Sequence, residues 1–227
     1  MTVIEMPTKR ASAAAEFNSE KKEIIAAING VISGASKDDG REVLTRVRVT
    51  FNQEEGTVRF TSCDSYRLHQ AVLTTVTIER DVTFFVYAKE LAAAMPKISD
   101  VKGEAPLTML YKAGEKKLDA GEFALKFDTG HRIIRADSED AVSWPGTDKF
   151  FGDFATDFHH NGTSPEPVGF NPAYFGDIAR IGKAINKDKP MCFTPGSTPL
   201  KPTMWELRVP SVYFAAILMP VRLEERY

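Results

Sequence analysis

Polar and apolar residues alternate over Val43–Phe51 (VLTRVRVTF) and again over Thr57–Ser62 (TVRFTS). This alternation predicts two half-buried strands joined by a turn at Asn52–Gly56. Ahead of them, Ile24, Ile28, Val31 and Ile32 recur at helical spacing, predicting an amphipathic helix over 19–33 that stops at Gly34 and the KDDG segment. Arg67–Ile78 predicts a further strand. The order then returns. Val82–Tyr87 reads as a strand and Ala88–Ile98 as a helix with Leu91, Met95 and Ile98 on one face. Strands follow at Leu107–Tyr111, Lys117–Ala120, Phe123–Asp128 and His131–Ala136, with turn chemistry in AGEKK and DTG between them. A third round opens with Asn171 as N-cap and Pro172 at the first helical position. Its helix runs to about Ile185, burying Phe175, Ile178 and Ile181, and strands follow at Met191–Thr194, Thr203–Val209 and Tyr213–Met219.

Two stretches break the pattern. Residues 1–16, rich in Ala, Ser and Thr without a period, read as a flexible arm. Residues 137–167 hold Pro145, Pro165, Pro167 and the aromatic residues Trp144, Phe150, Phe151, Phe154 and Phe158, and read as a long ordered connector. The remainder divides into three supersecondary units at about 17–79, 81–135 and 168–223, an α+β class built by repetition.

Composition narrows the class. At 227 residues, 43% hydrophobic and 26% charged, the chain is an ordinary globular protein. A net charge of −2 excludes a wholesale basic binder but leaves room for a local basic face. Two cysteines, Cys63 and Cys192, exclude a disulfide scaffold and point to a reduced, cytoplasmic setting. No apolar run reaches the ~18–20 residues that span a bilayer, and the N-terminus lacks the apolar segment of a secretory signal. His159-His160 has no Cys or carboxylate at ligand spacing, and Gly114, Gly121 and Gly130 are turn glycines. Asp64 and Asp137 form no acid/base pair, and both cysteines read as small buried hydrophobes. Without a catalytic motif, cofactor signature or metal set, the sequence reads as a binding protein rather than an enzyme.

Four segments, in order, carry a resemblance. They are Phe60–Leu68 (FTSCDSYRL), Trp144-Pro145, Gly169–Tyr174 (GFNPAY) and Ala215–Leu223 (AAILMPVRL). They resemble the ATDGHRLA, FPDYRR, GFNxxYL and VMPMRL segments of the bacterial DNA polymerase III β sliding-clamp family. The resemblance implies a DNA clamp (processivity) fold, in which repeated βαβββ units place antiparallel sheets outside and helices on the inner face. Residues 17–136 then resemble the family's middle domain and residues 168–227 the C-terminal part of its last domain. The family's first domain and the first half of its last domain have no counterpart among the three units. The implied function is to tether DNA polymerase and other proteins with clamp-binding motifs to double-stranded DNA, without reading its sequence. A clamp loader and a homo-oligomeric ring are the further implied partners.

The implied peptide groove comprises Arg41, Leu44, Cys63, Ser65, Tyr66, Arg67, Leu68, Pro145, Phe150, Ile217, Leu218, Met219, Pro220, Val221, Arg222 and Leu223. The residue types suit that use. Leu44, Leu68, Pro145, Met219, Pro220 and Val221 are the apolar surface that Leu and Phe anchors of a peptide require. Tyr66 stands where the family has His, which enlarges one wall, and Glu224–Tyr227 extend past the last matched residue. The implied DNA-facing cations are Lys21, Lys22, Lys89, Lys97, Arg180, Lys183, Lys187 and Lys189, interleaved with Glu20, Glu23, Glu90, Asp177 and Asp188. Such mixed faces hold phosphate weakly. Plainer readings stand beside these: Ile217–Leu223 as a terminal core strand, and the lysines as solvated helix faces. The alternative function is a reduced clamp paralogue that keeps the groove but does not encircle DNA, acting as adaptor or competitor. A rival from another class, an enzyme with a substrate pocket around Trp144 and Phe154, lacks an activated group.

Overall fold

A computed structural model describes residues 12–17, 21–101, 107–127, 130–148, 150, 169–196, 198 and 200–221. In chain order the strands are β1 (Ser12–Phe17), β2 (Arg46–Asn52), β3 (Thr57–Cys63), β4 (Arg67–Thr74), β5 (Thr77–Ile78), β6 (Val82–Tyr87), β7 (Leu107–Lys112), β8 (Gly121–Phe127), β9 (Gly130–Ser138), β10 (Cys192–Thr194), β11 (Thr203–Val209) and β12 (Val212–Leu218). The helices that position the site are α1 (Lys21–Gly34), α2 (Ala88–Ala94) and α3 (Pro172–Ile185). The strands form one 12-stranded sheet in the order β10-β11-β12-β4-β3-β2-β6-β9-β8-β7-β1-β5, antiparallel throughout.

The first two units are interlocked by exchange. β1 precedes α1 but pairs with β7 of the second unit, and β6 precedes α2 but pairs with β2 of the first. The direct seam between the two units is short, with Phe84 opposite Ser138 and Phe85 opposite Asp137. A buried ion pair reinforces it. Arg46 Nε lies 3.1 Å from Asp137 Oδ2, and the two side chains are 10% and 7% exposed. Arg46 also donates to Glu42 Oε1 at 2.9 Å and to the Tyr87 hydroxyl at 2.6 Å. The third unit joins through β12, which pairs with β4 from Leu73–Val212 to Arg67–Leu218.

Helix packing follows the same joint. Ile24, Ile28 and Val31 of α1 and Ile178, Ile181 and Ile185 of α3 enter one core. A Cβ at Gly30 would lie 2.5 Å from Ile181 Cγ2, so only glycine permits the close approach of α1 and α3 at that point. Glu23 on α1 accepts from Ser211 Oγ at 2.9 Å and from Asn186 Nδ2 at 3.1 Å, fixing the far end of the pair. The α1 carbonyls of Gly30 and Val31 accept from His69 Nδ1 at 2.8 Å and from Ser62 Oγ, tying the helix to β4 and β3.

Several expectations are corrected. Residues 12–16 belong to β1 and not to a flexible arm: Ala13, Ala15 and Phe17 point into the core at 1%, 0% and 0% exposure. The helix expected over 88–98 ends at Ala94, because Pro96 disfavours helical backbone at Met95, which adopts φ −70, ψ 134. The strand expected at Lys117–Ala120 is a turn, where Asp119 Oδ2 accepts from the Lys116 amide at 2.9 Å. Val43–Thr45 lie in a 3-10 segment, so the strand after it starts at Arg46. The strand expected over Arg67–Ile78 is interrupted at residues 75 and 76. Phe175 is half-exposed rather than buried, and Cys192 is exposed on the edge strand β10.

Burial pushes the His69 imidazole down from 6.5 to about 4, partly opposed by its bond to the Gly30 carbonyl. The folded chain therefore takes up this proton less readily than the unfolded chain. Stability from this group is complete above pH 6.5 and is lost as pH falls, fully so below about 4. At ~1.4 kcal/mol per unit the loss is about 3 kcal/mol. Urea unfolding of the wild type and of His69→Gln across this range is expected to show a shallower acid decline in the variant.

Candidate functional site

On the sheet face turned away from the helices, four side chains form one row across four strands. Cys63 of β3 opposes Leu68 of β4, Leu68 opposes Ile217 of β12, and Ile217 opposes Met204 of β11. They are 8%, 6%, 3% and 7% exposed and form a cluster separate from the main core, with Leu44 and Trp144 packed against it. Pleating sends the residues beside them, His69 and Leu218, to the opposite, helix-covered face. Cys63, Leu68 and Ile217 of this row are the floor of a cavity of about 320 Å³.

The walls come from loops held by specific hydrogen bonds. Leu44 and the Ser65–Tyr66–Arg67 turn form one side; Pro145, Thr147, Phe150, Pro202 and Met219 complete the lining. The Trp144 indole donates to Thr147 Oγ1 at 3.1 Å and packs on Phe85 at 5.3 Å, which seats the Pro145 segment. Arg48 on β2 holds Asp148 at 2.6 Å.

The turn between β3 and β4 is the most constrained part. Asp64 Oδ1 accepts from the amides of Tyr66 and Arg67, both at 3.1 Å. Ser65 sits at φ +69, a left-handed conformation that this folded-back carboxylate stabilises. Arg67 donates to Asp64 Oδ2 at 2.8 Å and to Asp177 Oδ2 on α3 at 3.1 Å, with its guanidinium 4.4 Å from the centre of the Tyr174 ring. Tyr66 stacks on Tyr174 at 6.5 Å, and its carbonyl accepts from the Met219 amide at 2.9 Å. One turn thus holds both α3 and the end of β12. Burial, aided by the Asp64 charge, pushes the Cys63 thiol up to about 11, so it stays protonated near neutral pH and serves as apolar lining rather than as a nucleophile.

The sequence-predicted groove residues divide clearly. Leu44, Cys63, Ser65, Tyr66, Arg67, Leu68, Pro145, Phe150, Ile217 and Met219 line the cavity together. Arg41 lies at the rim, donating to Ser65 Oγ at 2.6 Å. Leu218 points into the main core instead. Pro220 and Val221 do not line the cavity; Val221, 47% exposed, bridges to Gly169. Arg222 and Leu223 lie outside the described residues, as do Phe151, Phe154, Phe158, His159 and His160. The sequence reading missed Thr147 and Pro202 of the lining and Met204 of the buried row. Met204 was recoverable only from strand register, because its place in the row depends on the β11–β12 pairing.

Among the predicted DNA-facing cations, Lys22, Lys89, Arg180 and Lys183 lie exposed on helices, and Lys21 is half-buried on α1. Lys97 falls beyond the end of α2, and Lys187 and Lys189 in the turn after α3. Arg180 is engaged with Asp177 at 2.6 Å. Lys89 also borders a second cavity, of about 800 Å³, between the end of α1 and the start of α2. Asp64 and Asp137 are both paired with arginines.

No family model matches the chain, and no curated protein matches it by sequence. Solved structures do match. The Helicobacter pylori β clamp in complex with diflunisal superposes with a TM-score of 0.65 at 11% identity, covering 97% of this chain and 69% of that one. The DNA polymerase III β chain of Streptococcus pneumoniae gives 0.61 at 16% identity, covering 97% and 68%. The H. pylori β clamp bound to a DNA ligase peptide gives 0.60 at 11% identity, covering 96% and 68%. The chain therefore has the β-clamp fold and spans about two thirds of the length of these structures.

Arg67→Ala is expected to lower stability by about 3 kcal/mol, since it strands Asp64 and Asp177 without their shared cation. Chemical denaturation measures the loss, and separation of α3 from the turn is expected as faster hydrogen exchange at α3.

Proposed function

We propose that the chain is a non-enzymatic, clamp-like tether that captures extended peptide motifs of DNA polymerases and related replication proteins in the 320 Å³ cavity. The observation that carries the reading is the Cys63–Leu68–Ile217 floor, a concave apolar row on a β-clamp fold. A short peptide gains affinity by burying one or two large apolar anchors in such a slot. The peptide-bound H. pylori clamp supports this use of the fold. Met219 at the open side, 40% exposed, gives the wall a flexible thioether that adapts to different anchors.

In this reading residues 17–136 and 168–227 act as a clamp domain and a partial one. Copies of the chain assemble into a ring in the cytoplasm, with Lys22, Lys89, Arg180 and Lys183 offering non-specific phosphate contacts to encircled DNA, and a loader places the ring. The alternative is the adaptor reading, in which the groove is kept without encirclement. Retention on DNA separates the two readings.

Met219→Asp is expected to weaken binding of a fluorescent extended peptide with Leu and Phe anchors at least tenfold, a loss of about 1.4 kcal/mol or more, while the melting temperature holds. Unchanged affinity in that titration removes the groove assignment. Lys183→Glu combined with Lys187→Glu is expected to shorten retention on circular DNA, most clearly at low salt. Equal retention excludes α3 and its following turn from the DNA face.

A further inference from the structure

One wall of the candidate groove and the solvent side of α3 share a carboxylate. The Ser65–Tyr66–Arg67 turn lines the cavity, but Arg67 pairs across the sheet with Leu218, which enters the main core, so its side chain leaves toward the helices. There the guanidinium, 8% exposed, meets Asp177 of α3 at 3.1 Å. Asp177 Oδ2 accepts this bond, and Asp177 Oδ1 accepts a second one from Arg180 at 2.6 Å. Tyr174, Asp177 and Arg180 follow at three-residue intervals along one side of the helix. Asp177 is 28% exposed and Arg180 74%.

The four charges balance, with Arg67 and Arg180 set against Asp64 and Asp177, and Asp177 is the carboxylate that holds both cations. The two cations differ in freedom. Arg180 lies in solvent, where an ion pair contributes little and exchanges readily. Arg67 is enclosed and leaves its carboxylates only at a large cost. What Arg180 binds therefore changes how strongly Asp177 draws on Arg67. Arg67 in turn donates to Asp64 Oδ2, while Asp64 Oδ1 accepts from the amides of Tyr66 and Arg67, and the Tyr66 carbonyl accepts from the Met219 amide. These contacts run without a break from Arg180 in solvent to Tyr66 and Met219 in the cavity lining.

We propose that Asp177 is a positioning residue for the groove and couples it to phosphate binding on α3. A phosphate group that takes the Arg180 guanidinium by paired hydrogen bonds displaces Asp177 from it. Asp177 then acts on Arg67 alone and holds it more firmly against α3, where the Tyr174 ring already meets both Arg67 and Tyr66. The turn is thereby ordered before a peptide arrives, and less freedom is lost on binding. Phosphate on α3 and peptide in the groove favour each other, by the same factor in both directions. This coupling rests on the proposed reading of the groove and of Arg180 as a phosphate contact, and adds that one residue touching neither ligand links the two events.

The amides of Tyr66, Arg67 and Met219 report on the turn without any peptide. Their hydrogen exchange is expected to slow when a short DNA duplex is added to the wild type. In Arg180→Ala, which frees Asp177 in the same way, exchange is expected to be slow already and indifferent to duplex. The Kd of a fluorescent peptide with Leu and Phe anchors is expected to fall about threefold in saturating duplex, the size of one partly exposed ion pair, and the duplex Kd to fall equally in saturating peptide. Asp177→Asn is expected to erase both effects and Asp177→Glu to restore part of them, a rescue that helix stability alone does not produce. Equal exchange in the wild type and Arg180→Ala, or a duplex effect that survives Asp177→Asn, overturns the proposal. Slowed amides in a chain that binds no peptide sink the groove reading and leave the coupling standing. Slowed amides in Arg180→Ala with no response of the wild type to duplex take Arg180 off the DNA face, again with the coupling intact.

Discussion

The pairing of β4 with β12 is the contact on which the candidate site depends. Neither strand alone makes a floor: Leu68 contributes from one and Ile217 from the other, and they meet only because the last unit docks in register on the first. A slip of β12 by one residue would send Ile217 to the helix-covered face and bring Leu218 to the cavity side. Register is therefore the constraint, and the surrounding features protect it. Gly30 lets α1 and α3 approach, Glu23 fixes the far end of that helix pair, and the Tyr66 carbonyl holds the Met219 amide where β12 ends.

Two arginines do for the units what a hydrophobic core does poorly, which is to fix relative position. Arg46 sits at the seam of the first two units and Arg67 at the joint with the third, each mostly buried and each bridging carboxylates from separate segments. Buried ion pairs return little net stability over apolar substitutes, yet they are costly to break and tolerate few geometries. Their value here lies in specifying one arrangement of three similar units that present several alternative apolar faces. Near the groove the same chemistry serves another end, since Asp64 and Arg67 hold a left-handed Ser65 and so aim Tyr66 at the rim.

Much of this architecture was legible where hydrophobic contrast is strong. β2 and β3 follow alternation of Val and Phe against polar residues, β6 and β12 are nearly continuous apolar runs, and α3 is announced by Asn171, whose side chain does cap the Ala173 amide at 3.0 Å. β1 alternates too, but its inward residues Ala13 and Ala15 carry too little apolar area to stand out from a polar arm. The misread end of α2 is a different failure, in which Leu91–Met95–Ile98 periodicity outweighed Pro96. Groove residues on the two matched segments were readable from the sequence. Pro202 and Thr147, which reach the cavity by loop closure, and Met204, which joins the row by strand pairing, were not, because neither route has a local signature.

The strand exchange between the first two units carries a cost in time. β1 meets the short β5 at Ala15–Ile78 and Glu16–Thr77, but its full six-residue ladder waits for β7, far along the chain. Contacts so distant in sequence close late, because the intervening loop must first lose its freedom. During synthesis the second unit's sheet accordingly has an open edge at β7, and Ala13, Ala15 and Phe17 remain exposed to solvent. The same interlock that makes the finished units inseparable thus leaves the nascent chain with an adhesive strand and a matching edge, the combination that lets two chains made side by side trade their first strands.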